Sequence, residues 1–135
     1  MISTKGRYAL RMMIDIASQG EGNRSSLREV SKRQDISMKY LEQLAGPLVA
    51  ANLLTSTRGA RGGYSLARPA SEITTGQIIR TAEGSFAPVA CLEDDFGVCP
   101  RRAECETIEF WEGLEKTVDA YLDGVNLAQL LPKRN

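Results

Sequence analysis

The chain has 135 residues, 42% hydrophobic and 25% charged, which is enough for one ordinary domain with a real core and is the composition of a soluble globular protein rather than a disordered one. No apolar run approaches the roughly 20 residues needed to cross a bilayer, and Arg11 and Asp15 interrupt the apolar N-terminus, so the sequence predicts neither a membrane span nor a signal-peptide core, and a cytoplasmic location. Net charge is zero but unevenly laid out: residues 1–70 hold 11 Lys/Arg against 5 Asp/Glu, a net of +6, and residues 71–135 hold 6 against 12, a net of −6, so the first half is suited to a polyanion.

The first helix is predicted over residues 4–18, where Tyr8, Met12 and Ile16 recur at helical spacing and Gly20 with Gly22 ends the run. A second helix begins near SSLREVSKR, with Ser25 or Ser26 as cap. Glu29 stands three residues after Ser26, the spacing of a capping box. The run breaks at Asp35-Ile36-Ser37, and Ser37 can cap a third helix through MKYLEQLAGPLVAANLL. Pro47 lies inside that helix, so a bend or break is expected near Gly46-Pro47.

LTSTRGARGGYSLA then reads as two short β-prone pieces around a glycine-rich, arginine-bearing tip, the pattern of a hairpin. A further helix is expected over TTGQIIRTAEG, capped by Thr74 or Thr75. The cysteine segment follows as a loop. A last helix runs from about Glu104 to Leu122 with Ile108, Trp111 and Val118 along one face.

Helix, three-residue turn, helix and glycine-tipped hairpin make a mainly α fold in winged helix-turn-helix order. In that motif the second helix of the pair enters the DNA major groove and its first residues reach base edges. Here those are Ser37, Met38, Lys39 and Tyr40, followed by Glu42, which can accept from cytosine, and Gln43, which can pair with adenine. Arg28, Lys32 and Arg33 on the preceding helix are expected to clamp the backbone. Arg58 and Arg61 on the narrow wing suit a minor groove, and Gly59, Gly62 and Gly63 allow close approach. RGARGGY has neither the spacing of a P-loop nor a helix directly after it, so a nucleotide loop is the weaker reading. With no histidine, the usual acid/base sets of a small enzyme are missing as well.

All three cysteines lie within CLEDDFGVCPRRAEC, spaced Cys91-x7-Cys99-x5-Cys105. An odd number of thiols in a reducing compartment argues against a disulfide framework. The spacing lacks the paired C-x2-C of zinc ribbons, and loop-borne thiols at irregular spacing suit the larger core of an iron–sulfur cluster. Their neighbours Glu93, Asp94, Asp95, Gly97 and Pro100 make a polar loop rather than a core pattern, so a shared metal or redox role is favoured over three unrelated buried thiols.

TKGRYALRMMIDIA, ISMKYLEQL, RGARGGYSLARPASEIT and three cysteines ahead of a Trp-bearing helix together resemble the IscR/NsrR/CymR family of bacterial winged-helix regulators, over essentially the whole chain to about Leu131. The nearest fit is the cluster-binding branch typified by IscR. The resemblance implies a winged helix-turn-helix DNA-binding domain over residues 1–80. Residues 81–135 would supply a cysteine-bearing sensor loop and a long dimerisation helix. It implies a homodimer on a pseudo-palindromic double-stranded DNA operator, with Ser37, Tyr40 and Glu42 in the major groove and Arg58 in the minor groove. It also implies an iron–sulfur cluster, 2Fe–2S in preference to 4Fe–4S, on Cys91, Cys99 and Cys105. Such members take a histidine three residues after the third cysteine as fourth ligand, and here Ile108 stands there. Nitric-oxide-sensing relatives take an aspartate from the first helix of the partner, where this chain has Arg7. Glu104, Glu106, Glu109, Asp94, Asp95, an exogenous thiol or water remain. The rival within the fold is a thiol-, zinc- or metabolite-sensing repressor without a cluster.

Overall fold

The computed structural model describes residues 2–84 and 106–132. In chain order its elements are α1 (Thr4–Ser18), α2 (Leu27–Gln34), α3 (Met38–Ala50), β1 (Leu54–Thr57), β2 (Gly63–Leu66), a 3-10 turn at Ala70–Glu72, α4 (Thr75–Glu83), α5 (Ile108–Gly124) and a 3-10 turn at Leu127–Leu130. The architecture is mainly helical with one antiparallel hairpin, the winged helix-turn-helix arrangement that the sequence predicts.

Helices α1 to α4 each begin where a side chain can satisfy donors that the first turn leaves open. At α1, Ser3 Oγ accepts from the Lys5 amide at 3.2 Å. The Glu83 carboxylate reaches across from the end of α4 to take the Ser3 amide at 2.9 Å, the Ser3 hydroxyl at 2.6 Å and the Gly6 amide at 2.7 Å. Partial burial works against the Glu83 charge, but these bonds outweigh it and hold the carboxyl below its ordinary range. A Cβ at Gly6 would stand 2.9 Å from the same carboxylate oxygen, so the close crossing of α1 and α4 favours glycine there. At α2, the Ser26–Glu29 capping box forms as predicted: the Glu29 amide donates to the Ser26 hydroxyl, and the Ser26 amide, with its side chain, bonds to the Glu29 carboxylate and lowers its pKa. Asp35 closes α2 in the left-handed conformation at φ 54°, which a short polar side chain tolerates, and Ser37 opens α3. Thr74, with Gln77, caps α4.

α3 runs unbroken through Pro47, so of the bend or break expected near Gly46-Pro47 the break does not occur. Pro47 and the residue four before it, Gln43, are both on the exposed face, so the carbonyl that loses its intrahelical donor can turn to water. The last helix also starts later than expected, at Ile108, with residues 106–107 in a turn.

The core is the buried face of α1 (Ala9, Met12, Met13, Ile16) packed on Val30, Leu41, Leu44 and Leu48 of the helix pair and on Ile73 and Ile78 around α4. The sequence reading made nothing of residues 123–130, yet they complete this core. Leu127 is fully buried, with its amide donating to the Ile73 carbonyl at 2.8 Å. Thr75, the other residue offered as a cap, instead binds the end of α5: its hydroxyl donates to the Leu122 carbonyl at 2.7 Å, and its amide to the Val125 carbonyl at 2.9 Å. Arg80 adds ion pairs to Asp123 at 2.6 Å and Asp119 at 3.1 Å, which raise its own pKa and lower that of Asp123. Among the described residues no helix is long and apolar enough to cross a membrane.

Candidate nucleic-acid interface

The first turn of α3 presents a contiguous polar surface. Ser37, Met38, Lys39, Glu42 and Gln43 are exposed, while Leu41 and Leu44 turn into the core. Ser37 Oγ accepts the Tyr40 amide at 3.2 Å, so its lone pair serves the cap and its proton remains for an outside acceptor. Tyr40 is half-buried, its ring edge-on to Tyr8 of α1 with centroids 5.3 Å apart. The Arg11 guanidinium lies 5.2 Å from the Tyr8 ring centroid and also donates to the Gln34 carbonyl at the end of α2. α1 thus supports α3 from behind through Tyr8 and holds the C-terminus of α2 through Arg11.

On α2, Arg28 and Lys32 are exposed and, four residues apart, share a face. Arg33 does not join them as expected. Its Nε donates to both oxygens of Asp15 at 3.0 Å, and its Nη2 donates to Asp15 at 2.8 Å and to Ser25 Oγ at 2.9 Å. Gln34 gives a further bond to Asp15 at 3.1 Å. The hydrogen bonds to Asp15 raise the Arg33 pKa, and this guanidinium belongs to the scaffold.

The wing pairs Leu54 with Leu66 and Thr57 with Gly63, leaving residues 58–62 at the tip. Arg58 and Arg61 are exposed there. Gly59 adopts φ +107°, and a Cβ at Gly62 would stand 2.1 Å from the Thr57 carbonyl oxygen, so the turn has no room for a side chain at 62. The tip end of β2 is joined to the segment ahead of α2 by an isolated bridge: the Ser25 amide donates to the Tyr64 carbonyl at 2.9 Å, and the Tyr64 amide donates back to the Ser25 carbonyl at 2.8 Å. Gly63 makes that approach possible, because a Cβ on it would lie 2.7 Å from the Ser25 carbonyl oxygen.

Of the residues singled out from sequence, then, Ser37, Lys39, Tyr40, Glu42 and Gln43 lie on one helix, Arg28 and Lys32 on the helix before it, and Arg58 and Arg61 on the wing. Cys91, Cys99 and Cys105 lie outside the described residues, as do Asp94, Asp95 and Glu104. Ile108 opens α5 with an aliphatic, half-buried side chain that offers no donor, and Glu106 and Glu109 beside it are exposed. No group of three or more His, Cys, Asp or Glu able to hold a metal occurs among the described residues. Sequence reasoning missed Arg24, whose Nη1 donates to the Arg61 carbonyl at 3.3 Å. Its only signals in the sequence are its charge and its position just ahead of the α2 cap.

The sequence profile of the Rrf2 family, described as an iron-dependent transcriptional regulator, matches residues 2–133. The chain is 43% identical over 133 residues to the HTH-type transcriptional regulator IscR of Cereibacter sphaeroides, an alignment covering 96% of this chain and 86% of the relative. Among solved structures it is similar to CymR, the global cysteine regulator of B. subtilis, at a TM-score of 0.78 and 41% identity, covering 96% of this chain and 95% of that one. It is likewise similar to T. potens IscR, at a TM-score of 0.77 and 38% identity over 96% of this chain and 85% of that one.

Proposed function

The chain belongs to the Rrf2 family of transcriptional regulators, and from that footing we propose a homodimer that binds a pseudo-palindromic operator and reads iron–sulfur or redox status through three thiols. Like its relatives it is a DNA-binding regulator and not an enzyme. In the proposal, residues 1–80 are the reading head. Arg28 and Lys32 take phosphates; Ser37, Lys39, Tyr40, Glu42 and Gln43 face the major groove; Arg58 and Arg61 enter the minor groove. Residues 81–135 provide the sensor loop and the dimerisation helix, and the protein works in the cytoplasm.

The observation that carries the dimer is the outer face of α5. Phe110, Leu114 and Tyr121 are exposed and fall on one side of the helix, whereas Leu122 alone in α5 is buried. Such a stripe, on a helix whose bonds to α4 are made toward its C-terminal end, is suited to a second copy of itself.

The donor set fits a cluster at three positions. Cys91, Cys99 and Cys105 offer soft thiolates within 15 residues, directly ahead of α5. When bound, a cluster supplies a link among the three thiols that is lost to oxidant or iron scarcity. The chain's part is to present the thiols and to join their segment to α5, whose far end is bonded to Thr75 and Arg80 of the reading head. DNA affinity changes with the state of that segment only if the operator distinguishes the two states.

The fourth position favours a second reading. Ile108 carries no donor and histidine is absent from the chain, so the nearest ligands within the chain are carboxylates, hard donors that would make a cluster labile. A repressor that senses through thiol chemistry alone needs no fourth ligand, and the CymR likeness agrees with it. Visible absorption with iron and sulfide analysis on anaerobically purified protein, beside Cys99→Ala, separates the two. Charge-transfer bands with matched iron and sulfide, absent in the variant, support the cluster. Colourless protein that resists anaerobic reconstitution leaves the thiol reading.

A further inference from the structure

Two sets of arginines among the described residues differ in what they touch. Arg33 and Arg80 are bound to carboxylates and hold helices together. Arg24, Arg58 and Arg61 have no carboxylate within 4.0 Å among the described residues, yet they gather at one end of the hairpin. Three like charges brought together without counter-ions repel one another, and an arrangement that keeps them together anticipates a polyanion.

Arg24 is placed there by its neighbours. Ser25, the next residue, is 1% exposed, with its amide and carbonyl both bonded to Tyr64 of β2 and its hydroxyl bonded to Arg33. The main chain from which the Arg24 side chain departs is therefore tied to the wing and to α2 at once. The exposed guanidinium then spends one N–H on the Arg61 carbonyl at 3.3 Å, leaving most of its five donors facing out beside the tip.

We propose that Arg24 is a third DNA-contacting arginine of the wing, one that binds a backbone phosphate next to the groove entered by Arg58 and Arg61 while holding the tip through the Arg61 carbonyl. A phosphate contact adds affinity to every sequence alike and does not select bases. This rests on the DNA-binding reading and adds to it a residue from outside the hairpin and outside both helices of the pair.

The test is the salt dependence of binding of the full-length protein to a fluorescent mixed-sequence 30-base-pair duplex, measured by anisotropy for wild type, Arg24→Gln and Arg24→Lys. Glutamine keeps a donor for the Arg61 carbonyl and removes the charge, whereas lysine keeps the charge. The expected result is that Arg24→Gln lowers the slope of log affinity against log salt by about 0.9 per bound subunit and that Arg24→Lys restores it. Thermal melts should match across the three proteins, because the side chain is exposed. An Arg24→Gln slope equal to wild type overturns the proposal. So does an Arg24→Lys slope as low as that of Arg24→Gln, which would leave Arg24 only the role of bracing the tip. Failure of the DNA-binding reading itself looks different: the wild-type protein would show no salt-dependent binding at all.

Discussion

Arg33 of α2 grips Asp15 of α1 with two nitrogens, at 2.8 and 3.0 Å, and the carboxylate it holds is 5% exposed. The two ends of this pair are not equivalent, because the Arg33 side chain remains 32% exposed and can rehydrate if released. Asp15→Asn should therefore cost about 3 kcal/mol, the low end for breaking a buried pair. Arg33→Met should cost more, since it strands a buried carboxylate with only the Gln34 amide. Urea denaturation of both variants checks the order, and equal losses would show that the pair behaves as a surface bridge.

Gly63 admits Ser25 to the edge of the wing. Gly63→Ala places a methyl 2.7 Å from the Ser25 carbonyl oxygen at φ +141°, so the strain, on the order of 1–3 kcal/mol, should be relieved by opening the Ser25–Tyr64 bridge. The expected outcome is a folded protein whose DNA affinity falls further than its melting temperature suggests. Amide exchange at Tyr64 reports the bridge directly, and full protection of that amide in the variant would refute the account.

Glu83 gives the protein an acid-labile joint. Its carboxyl is held below the ordinary value of 4.5 by bonds from Ser3 and Gly6 that exceed the opposing cost of burial. A depressed carboxyl contributes stability that is fully present above its unfolded pKa and is lost as pH falls through the folded one. Glu83→Gln should destabilise by about 1 kcal/mol at pH 7, and the gap to wild type should be smaller at an acid pH well below 4.5. Paired denaturation curves at the two pH values test this; a gap independent of pH would assign the effect to packing.

The stripe on α5 makes a separable prediction. Leu114→Lys and Tyr121→Lys alter side chains that are 38% and 71% exposed in the single subunit, so helix content should not change. Each should weaken self-association about tenfold or more, roughly 1.4 kcal/mol. Sedimentation equilibrium reads the result, and a wild-type protein that is monomeric at high concentration would remove α5 as an interface.

How much of this the sequence disclosed follows from how local each feature is. The bounds of α1 as predicted match Thr4–Ser18, and the caps at Ser26 and Ser37 form, because a cap is written within four residues. The wing was legible for the same reason. Arg33 was misassigned because its partner lies 18 residues earlier on another helix, and nothing in either helical pattern joins them. Pro47 signals a bend or break by a rule that assumes its freed carbonyl is buried, whereas that face is open to water and the helix continues. Leu127 was overlooked because a four-residue 3-10 turn shows no periodicity, even though it closes the core.

The placement of Ser25 has a consequence for the kind of signal this regulator can receive. One residue is bonded through its backbone to the wing and through its hydroxyl to the arginine that ties α2 to α1. Wing and helix pair are therefore set against each other like the jaws of a locked calliper, and the gap they span along the duplex is fixed when the chain folds. Within one half-site there is little left to adjust. In the proposed dimer, a change around the thiols would have to work on the separation and tilt of two whole callipers, so the operator's spacing, more than its base sequence, is where regulation would be written.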